Sequence, residues 1–365
     1  MELKIQKIYV NDLAEFWKSI SQSDNEHLPI SLKRVNSYFH NPNKVENLPV
    51  LYLGYLDGKL ISYRSVLQDT FKKTNGKIVN FAWLSGVWVH EGFRRKGLAS
   101  KLLNEVYSDY NGKILSTNLG ANSQKLMAGN EKFVVLKNKK GKRFYYRFSL
   151  AKILPAKSNF YRRSEVLWKL LDGMGNFILN LKPQKNSIQN HFENAELNDE
   201  LKEFISQHNS DSLLERNTEE LNWILRYPWV VQSEKDEPWE KKYHFTSTSK
   251  QFYKKLKLIR ENQQIKGFLM YSVRNGTLKV HYLFADSLME IEAFSAYLLG
   301  EVSKEKMDCL LTTDSRLIEK LSEKGKHIYS KDWIKKYFAG KELVKTCPEL
   351  TEKAIYLGDG DSIFV

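Results

Sequence analysis

The sequence predicts an α+β fold, mostly antiparallel mixed sheets flanked by helices, laid out twice along the chain. Three observations point there. Two strand-like pairs are closed by Asp57-Gly58 and Asn275-Gly276, dipeptides that suit the positive φ of a primed hairpin turn. An apolar run ending in Val87, Trp88 and Val89 passes through a basic loop into an amphipathic helix, and a short strand follows. The same order recurs in the second half, in pattern and not in identity. On this pattern the chain divides into residues 1–150, a helical connector over 151–190, and a second, degenerate copy over 191–365.

Each element has its own local signal. LKIQKIYV alternates apolar and polar residues and is expected as the first strand. Asn11 or Asp12 can cap a helix through LAEFWKSI, and Pro29 precedes a second helix, ISLKRVNSYF. VLYLGYL and KLISYRSVLQDTF pair across Asp57-Gly58, KKTNGK makes the next turn, and KIVNFAWLSGVWV returns. Gly86 inside that last strand marks a bulge or a splay. After the helix GLASKLLNEVYSDY come the strand GKILSTN, the helix ANSQKLMAGN, the strand KFVVLK, a turn at NKKGKR and the strand FYYRFSL. Beyond Pro155 the helix SEVLWKLLDGMGNFILNL carries an apolar face. Packing across the two halves is its plainer role, and membrane contact the other. In the second half ELKEFISQ is helical, and Thr218 caps a helix that Pro228 stops. KLKLIREN, IKGFLMYSVR and TLKVHYLFAD are strands, and the helices MEIEAFSAYLLGEVS and SRLIEKLSEK enclose the strand DCLLTTD.

The loop EGFRRKGLAS is the informative part. Arg94, Arg95 and Lys96 place three cations where a helix begins, with small residues at Gly97, Ala99 and Ser100. A helix start leaves N–H groups unpaired and carries partial positive charge, so it can hold a phosphate or pyrophosphate. Small residues let the anion approach the backbone. Gly92 and Gly97 have Walker A spacing, but Leu98 and Ala99 stand where Lys and Ser/Thr would reach phosphate and magnesium. The G-x-G-x-x-G of a dinucleotide site is absent. What remains is R-x-x-G-x-A, carried by Arg94, Gly97 and Ala99 with Phe93 before them, after a V-x-V strand end. The alternative is a basic solvated turn.

That pattern resembles motif A of the GNAT acyltransferase superfamily, (Q/R)-x-x-G-x-(G/A), with a departure at Glu91, where the family commonly has proline. The resemblance implies a tandem GNAT-like protein whose strand backbone at Val87, Trp88 and Val89 pairs with the pantetheine arm of acyl-CoA. The loop of Arg94, Arg95, Lys96, Gly97, Leu98, Ala99 and Ser100 would hold the pyrophosphate. Acetyl-CoA or a longer acyl-CoA is then the cosubstrate, and the acceptor a primary amine of a small molecule such as an amino sugar or amino acid derivative. Family members splay the strand that here carries Gly86. N-S-x-x-L-M resembles a later motif of the family, which makes Asn122 a candidate for a hydrogen bond to the pantetheine arm, or simply a helix cap. Met127 stands where many members have a tyrosine that protonates the departing thiolate. ADSLMEIEA, at the corresponding place in the second half, is acidic and lacks the glycine, so it would repel a phosphate. The segment L-N-W-x-x-R-Y-P looks loosely like one in acyltransferases from bacterial surface-polysaccharide clusters.

Composition fits this reading. With 365 residues, 42% apolar and 13% aromatic, the chain can build two cores. A net charge of +14 favours anionic partners: CoA, acidic substrates, nucleic acid or an anionic membrane. The charge is spread over many turns, and no helix-turn-helix or zinc finger accompanies it, which argues against nucleic acid. Cys309 and Cys347 lie far apart without C-x-x-C spacing or a His pair, so neither a disulfide framework nor a metal is expected. MELKIQKIYVND lacks the apolar core of a signal peptide, and no apolar run reaches the ~18–20 residues of a span. A cytoplasmic protein without a membrane span is expected.

Acyl transfer to an amine needs a bound thioester, a neutral amine and a route for one proton. G-x-S-x-G is absent and neither cysteine lies near the loop, which favours direct attack by the amine. The backbone N–H around Val89 would polarise the thioester carbonyl. His90 and Glu91 at the strand end are candidate bases, or solvent-facing residues. Tyr145 or Tyr146 is a second candidate, or packing. The third is Val365: the chain ends GDGDSIFV, a polar turn and an apolar tail. In some two-domain members of the family that the loop resembles, such as N-myristoyltransferases, the terminal carboxylate reaches the active site and accepts the proton. Two other classes stay open. One is a non-catalytic CoA-binding or sensing module. The other is an aminoacyl-tRNA-dependent transferase on the same double fold, against which the intact CoA loop argues.

Overall fold

The computed structural model describes residues 3–23, 25–117, 120–155, 157–180, 192–235 and 237–365. In chain order, β1 (Lys4–Tyr9) leads to α1 (Leu13–Gln22) and α2 (Leu32–Phe39), then β2 (Pro49–Leu56), β3 (Lys59–Lys72) and β4 (Ile78–Val89). A short 3-10 turn over Glu91–Phe93 precedes α3 (Leu98–Asp109), β5 (Ile114–Ser116), α4 (Ala121–Ala128) and β6 (Phe133–Tyr145). Next come α5 (Leu150–Ile153), α6 (Asn159–Arg163), α7 (Glu165–Asn180), β7 (Phe192–Asn194), α8 (Asp199–Asn209) and α9 (Thr218–Arg226). The strands β8 (Val231–Gln232), β9 (Thr248–Ser249), β10 (Phe252–Glu261), β11 (Gln264–Arg274) and β12 (Thr277–Ala285) follow. The order closes with α10 (Leu288–Lys304), β13 (Cys309–Thr312), α11 (Ser315–Lys324), β14 (Tyr329–Gly340) and α12 (Lys341–Thr346).

Both expected hairpins form. Asp57 and Gly58 have φ +49 and +76, and Asn275 and Gly276 have +46 and +79, the paired left-handed residues of a type I′ turn.

The chain makes two compact units that cut across the linear division at 150 and 190. The first holds residues 1–139, 196–250 and 335–365, and the second 140–195 and 251–334. In the first, β1 to β4 form an antiparallel meander. The crossover helix α3 then returns β5 parallel to β4, from Ala82↔Ile114 to Leu84↔Ser116. β5 in turn pairs antiparallel with the end of β14, Ser116↔Phe338. Leu102, Leu103 and Val106 of α3 are fully buried, each contributing roughly 1.5–3 kcal/mol of apolar burial.

The second unit repeats the plan: β10, β11 and β12 in antiparallel order, α10, then β13 parallel to β12. β13 pairs antiparallel with the end of β6, Thr312↔Lys142. The closing strands are therefore exchanged, since β14 from late in the chain completes the first unit and β6 from the first half completes the second. The repeat in sequence pattern is a repeat in structure.

Three local expectations are corrected. NKKGKR is not a turn, because β6 runs unbroken through it. Gly141 serves contact instead: a Cβ there would fall 2.7 Å from the Trp333 ring. Thr218 is the first helical residue, and Asn217 is the cap, in a capping box with Glu220. The strand β14 has no counterpart among the expected elements, since its first half is charged and reads as a loop.

Candidate active site

All residues of the site except those named otherwise belong to the first unit. β3 and β4 pair from Lys72↔Ile78 to Val66↔Leu84, then shift so that Arg64 faces Val87. Ser65 thus stands opposite two residues, Ser85 and Gly86, and the glycine marks a bulge as its position in the strand suggested. A Cβ on Gly86 would come 2.8 Å from the Phe245 ring and 3.2 Å from Arg34 Nη1. The missing side chain is what lets these groups reach the strand.

Beyond the bulge, β4 leaves its parallel partner, because β5 pairs with it only as far as Leu84. Val87, Trp88 and Val89 continue against β3 alone. The His90 N–H donates to the Ile61 carbonyl at 2.9 Å, which makes Val89 and Ser62 a non-hydrogen-bonded pair. Antiparallel alternation then turns the N–H and C=O of Val89 and Val87 away from β3, toward the edge that β5 has left. An extended amide chain pairs with such an edge.

This edge leads into the basic loop. The Gly92 N–H donates to His90 Nδ1 at 3.2 Å, and Arg94 Nε donates to the Val89 carbonyl at 3.3 Å. Arg95 and Gly97 both have left-handed φ, +63 and +77. The helix α3 starts on Gly97 with no side-chain cap, as α4 starts on Gly120, whereas Ser31, Asn198, Asn217, Ser287 and Asp314 all cap their helices. The N–H groups at the start of α3 are therefore open to an outside acceptor. Arg94, Arg95, Lys96 and Gly97 are exposed around them, Ala99 and Ser100 are half-buried, and Leu98 is the buried anchor. A Cβ on Gly97 would meet nothing within 4 Å, so the cradle is unfilled by protein. These residues fit a pyrophosphate. The side chain of Asn122 lies outside the described residues.

On the other side of the bulge sits a buried cation that spacing did not announce. Arg34 of α2 donates from Nη1 to Ser65 Oγ at 2.9 Å, and its guanidinium stacks 3.8 Å from the Trp229 ring centroid. Burial works to lower its pKa, but Tyr243, Tyr38 and Asp361 outweigh this and hold it above the ordinary value. Burial pushes the Tyr38 hydroxyl up to about 12. Ser85 donates to Asp361 Oδ2 at 2.9 Å, and so ties the C-terminal turn Asp361–Phe364 to the bulge. Val365 follows directly and is half-buried.

The expected bases fare differently. His90 lies at the strand end, 5.8 Å from the His27 ring and 6.1 Å from Trp88. Its Nδ1 lone pair is taken by Gly92, and Glu91 is exposed. Burial, then the neighbouring His90, lowers the pKa of His27, and burial with Arg94 lowers that of His244. Tyr145 and Tyr146 belong to the second unit. There the Tyr145 ring stacks on Tyr329 at 5.8 Å, and Tyr146 is half-buried against that unit's apolar core. Met127 is 1% exposed, an apolar side chain in the core.

In the second unit, the helix start corresponding to α3 is closed by its own residues. Ser287 and Glu290 form a capping box on α10, and the Glu290 carboxylate accepts from the Ser287 N–H at 2.8 Å. Among the described residues no cluster of His, Cys, Asp and Glu could hold a metal ion, and no helix is long and apolar enough to cross a membrane.

The chain is similar to known proteins over part of its sequence and in its fold. Residues 11–122 match the model of the Acetyltransferase (GNAT) family, and this stretch holds β4, the basic loop and α3. Among solved structures, Saccharomyces cerevisiae N-myristoyltransferase with bound myristoyl-CoA is similar in fold, with a TM-score of 0.51 at 12% identity. The likeness covers 92% of this chain and 82% of that one. An Enterococcus faecalis protein described as a probable N-acyltransferase has a TM-score of 0.51 at 10% identity, over 94% of this chain and 74% of that one. No curated protein matches the chain in sequence.

Proposed function

We propose that the GNAT domain carried by residues 11–122 makes this chain an acyl-CoA-dependent N-acyltransferase. In this reading the acyl group, acetyl or a longer chain, passes to the primary amine of a small molecule such as an amino sugar or amino acid derivative. The observation that carries the reading is the open edge of Val87 and Val89 running directly into the uncapped start of α3 at Gly97. The edge suits the amides of a pantetheine arm. The helix start with Arg94, Arg95 and Lys96 suits the pyrophosphate. The Val89 N–H is directed to polarise a thioester carbonyl there.

The amine nitrogen attacks the thioester carbon, the C–N bond forms and the C–S bond breaks. The amine's proton passes to a base, and the sulfur leaves as a thiolate that solvent protonates. A buried Met127 supplies no acid at the position the family commonly gives to tyrosine. We assign the base to the Val365 carboxylate, whose turn the Ser85–Asp361 hydrogen bond anchors at the bulge, with His90 as the second candidate. The buried apolar Met127 also favours a second reading, a module that binds acyl-CoA without turnover.

The test is thermal stability with acetyl-CoA and with myristoyl-CoA, comparing wild type with Gly97→Glu. A ligand bound only by the native state stabilises it, by about 2.7 kcal/mol at a hundredfold excess over Kd. A rise in Tm for wild type that disappears in the variant supports the cradle, and the ligand giving the larger rise indicates chain length. No rise with either ligand in wild type removes the reading. Release of free thiol in the presence of amines separates an enzyme from a sensor.

A further inference from the structure

The helix α7 is docked inside out. Two of its polar residues, Asp172 and Asn176, face the rest of the second unit, to which the helix belongs. Asp172 accepts from the Leu150 and Ala151 N–H groups at 2.8 and 2.9 Å, and so caps α5. Asn176 both accepts from the Phe148 N–H and donates to the Phe148 carbonyl, each at 2.9 Å. A Cβ on Gly175 would fall 2.5 Å from the Phe148 ring, so the helix backbone lies close against that residue. Residues 172, 175 and 176 thus define the inner face, one side of a helix by their three- and four-residue spacing.

Among the described residues the opposite side is apolar and exposed. Val166 is 71% exposed, Leu170 61%, Met174 58%, Phe177 65% and Ile178 60%. Phe160 on the preceding α6 is 72% exposed. An apolar surface of this extent marks an interaction site. Charge beside it indicates the partner. Lys157, ahead of α6, and Arg162 and Arg163, at its end just before α7, are exposed. The two acidic side chains of the segment are already engaged: Glu165 pairs with Lys169 at 2.7 Å, and Asp172 points inward. Among the described residues no helix, α7 included, is long and apolar enough to cross a membrane. An apolar helix face preceded by exposed cations that no carboxylate of the described segment opposes is the chemistry of a helix lying in a membrane interface.

We propose that α6 and α7 seat this protein on the surface of an anionic phospholipid bilayer. The side chains of Val166, Leu170, Met174 and Phe177 enter the headgroup–acyl boundary, and Arg162 and Arg163 meet lipid phosphates. The inference is independent of the acyl-transfer reading, because it uses none of that site's residues.

The full-length protein is sedimented with vesicles of phosphatidylglycerol and phosphatidylcholine in equal parts, and with vesicles of phosphatidylcholine alone. Binding to the anionic vesicles is expected, at least ~10-fold weaker to the neutral ones, and declining as salt is added. Leu170→Ser with Phe177→Ser should lose roughly 100-fold in binding while Tm stays unchanged, since both side chains already face outward. Arg162→Glu with Arg163→Glu should cost roughly 30-fold at low salt. Failure to bind either vesicle, or unchanged binding by the serine variant, overturns the proposal. So does self-association that the serine variant abolishes in a protein that ignores vesicles, because a second copy then covers the face.

Discussion

The Trp229 N–H donates to the Phe364 carbonyl at 3.0 Å, and the two rings stack 4.8 Å apart at 14° from parallel. Trp223 closes on Phe364 edge-on from another side, also at 4.8 Å. The last residues are therefore part of the first unit's core. The same Trp229 carries the Arg34 guanidinium on its ring. Phe364→Ala should cost about 3–5 kcal/mol, the usual price of emptying a buried phenylalanine site. The urea midpoint reports it, and a loss under about 1 kcal/mol would mean that the turn is not packed as described.

The proposed role of the Val365 carboxylate needs a different perturbation, one that leaves Phe364 in place. A short glycine-serine extension after Val365 moves the charge without emptying the core. Turnover should fall by a factor of about 100 or more, the scale of losing a positioned general base, with Tm held constant. Undiminished turnover in the extended protein would leave His90 as the candidate, to be tested with His90→Gln.

Gly86 separates two roles of the bulge. Gly86→Ala places a methyl against Phe245 and Arg34, and the neighbours must shift to admit it. Overpacking of this kind costs about 1–3 kcal/mol. Because the displaced groups border the open edge assigned to the pantetheine arm, acyl-CoA affinity should fall along with stability, although the cradle at Gly97 is untouched. Unchanged acyl-CoA affinity in a destabilised variant would show that the arm does not run along this edge.

Local chemistry was legible and long-range pairing was not. Asp57-Gly58 and Asn275-Gly276 announce their turns because the backbone demand falls on the same two residues that meet it. Arg94 to Ala99 announce an anion site because a helix start supplies its own donors. Arg34 gives no such signal. It is an ordinary helix residue until Gly86, Ser65 and Trp229, from three other segments, converge on it. The exchange of β6 and β14 has no local signature either, since each strand takes its register from a partner far away in sequence. Thr218 lost the capping position to its neighbour because Asn217 could complete a reciprocal pair with Glu220.

The histidines beside β4 give a pH signature. Burial and then His90 hold His27 below its ordinary value, and burial and then Arg94 do the same to His244. When the folded pKa is the lower one, the unfolded chain binds more protons in the window between that value and ~6.5. Stability should therefore rise with pH through that window and level off above it. His27→Gln should flatten part of the slope, as read from Tm at a series of pH values. A slope identical to wild type would exclude His27 as its source.

The buried ion cluster of the first unit carries the sharpest stability prediction. Arg216 holds Asp69 with two hydrogen bonds, at 3.0 and 2.7 Å, and reaches Glu220 at 2.8 Å. Trp83 Nε1 donates to Asp69 at 3.0 Å, and Asn43 donates to both carboxylates. Arg216 and Asp69 are 2% and 1% exposed. Arg216→Met removes the cation and leaves two buried carboxylates facing each other, which should cost about 3–5 kcal/mol. Burial already raises the Asp69 pKa against the opposing pull of Arg216, so without that cation Asp69 would take up a proton in the folded state above its unfolded value, and the variant's deficit should shrink as pH falls from ~7 toward ~5. Adding Asp69→Asn to Arg216→Met relieves the repulsion directly and should restore part of the loss without acid. If the single variant's deficit is the same at both pH values, the two carboxylates are not sharing one buried space, and the cluster's stability comes from packing around Trp83 instead.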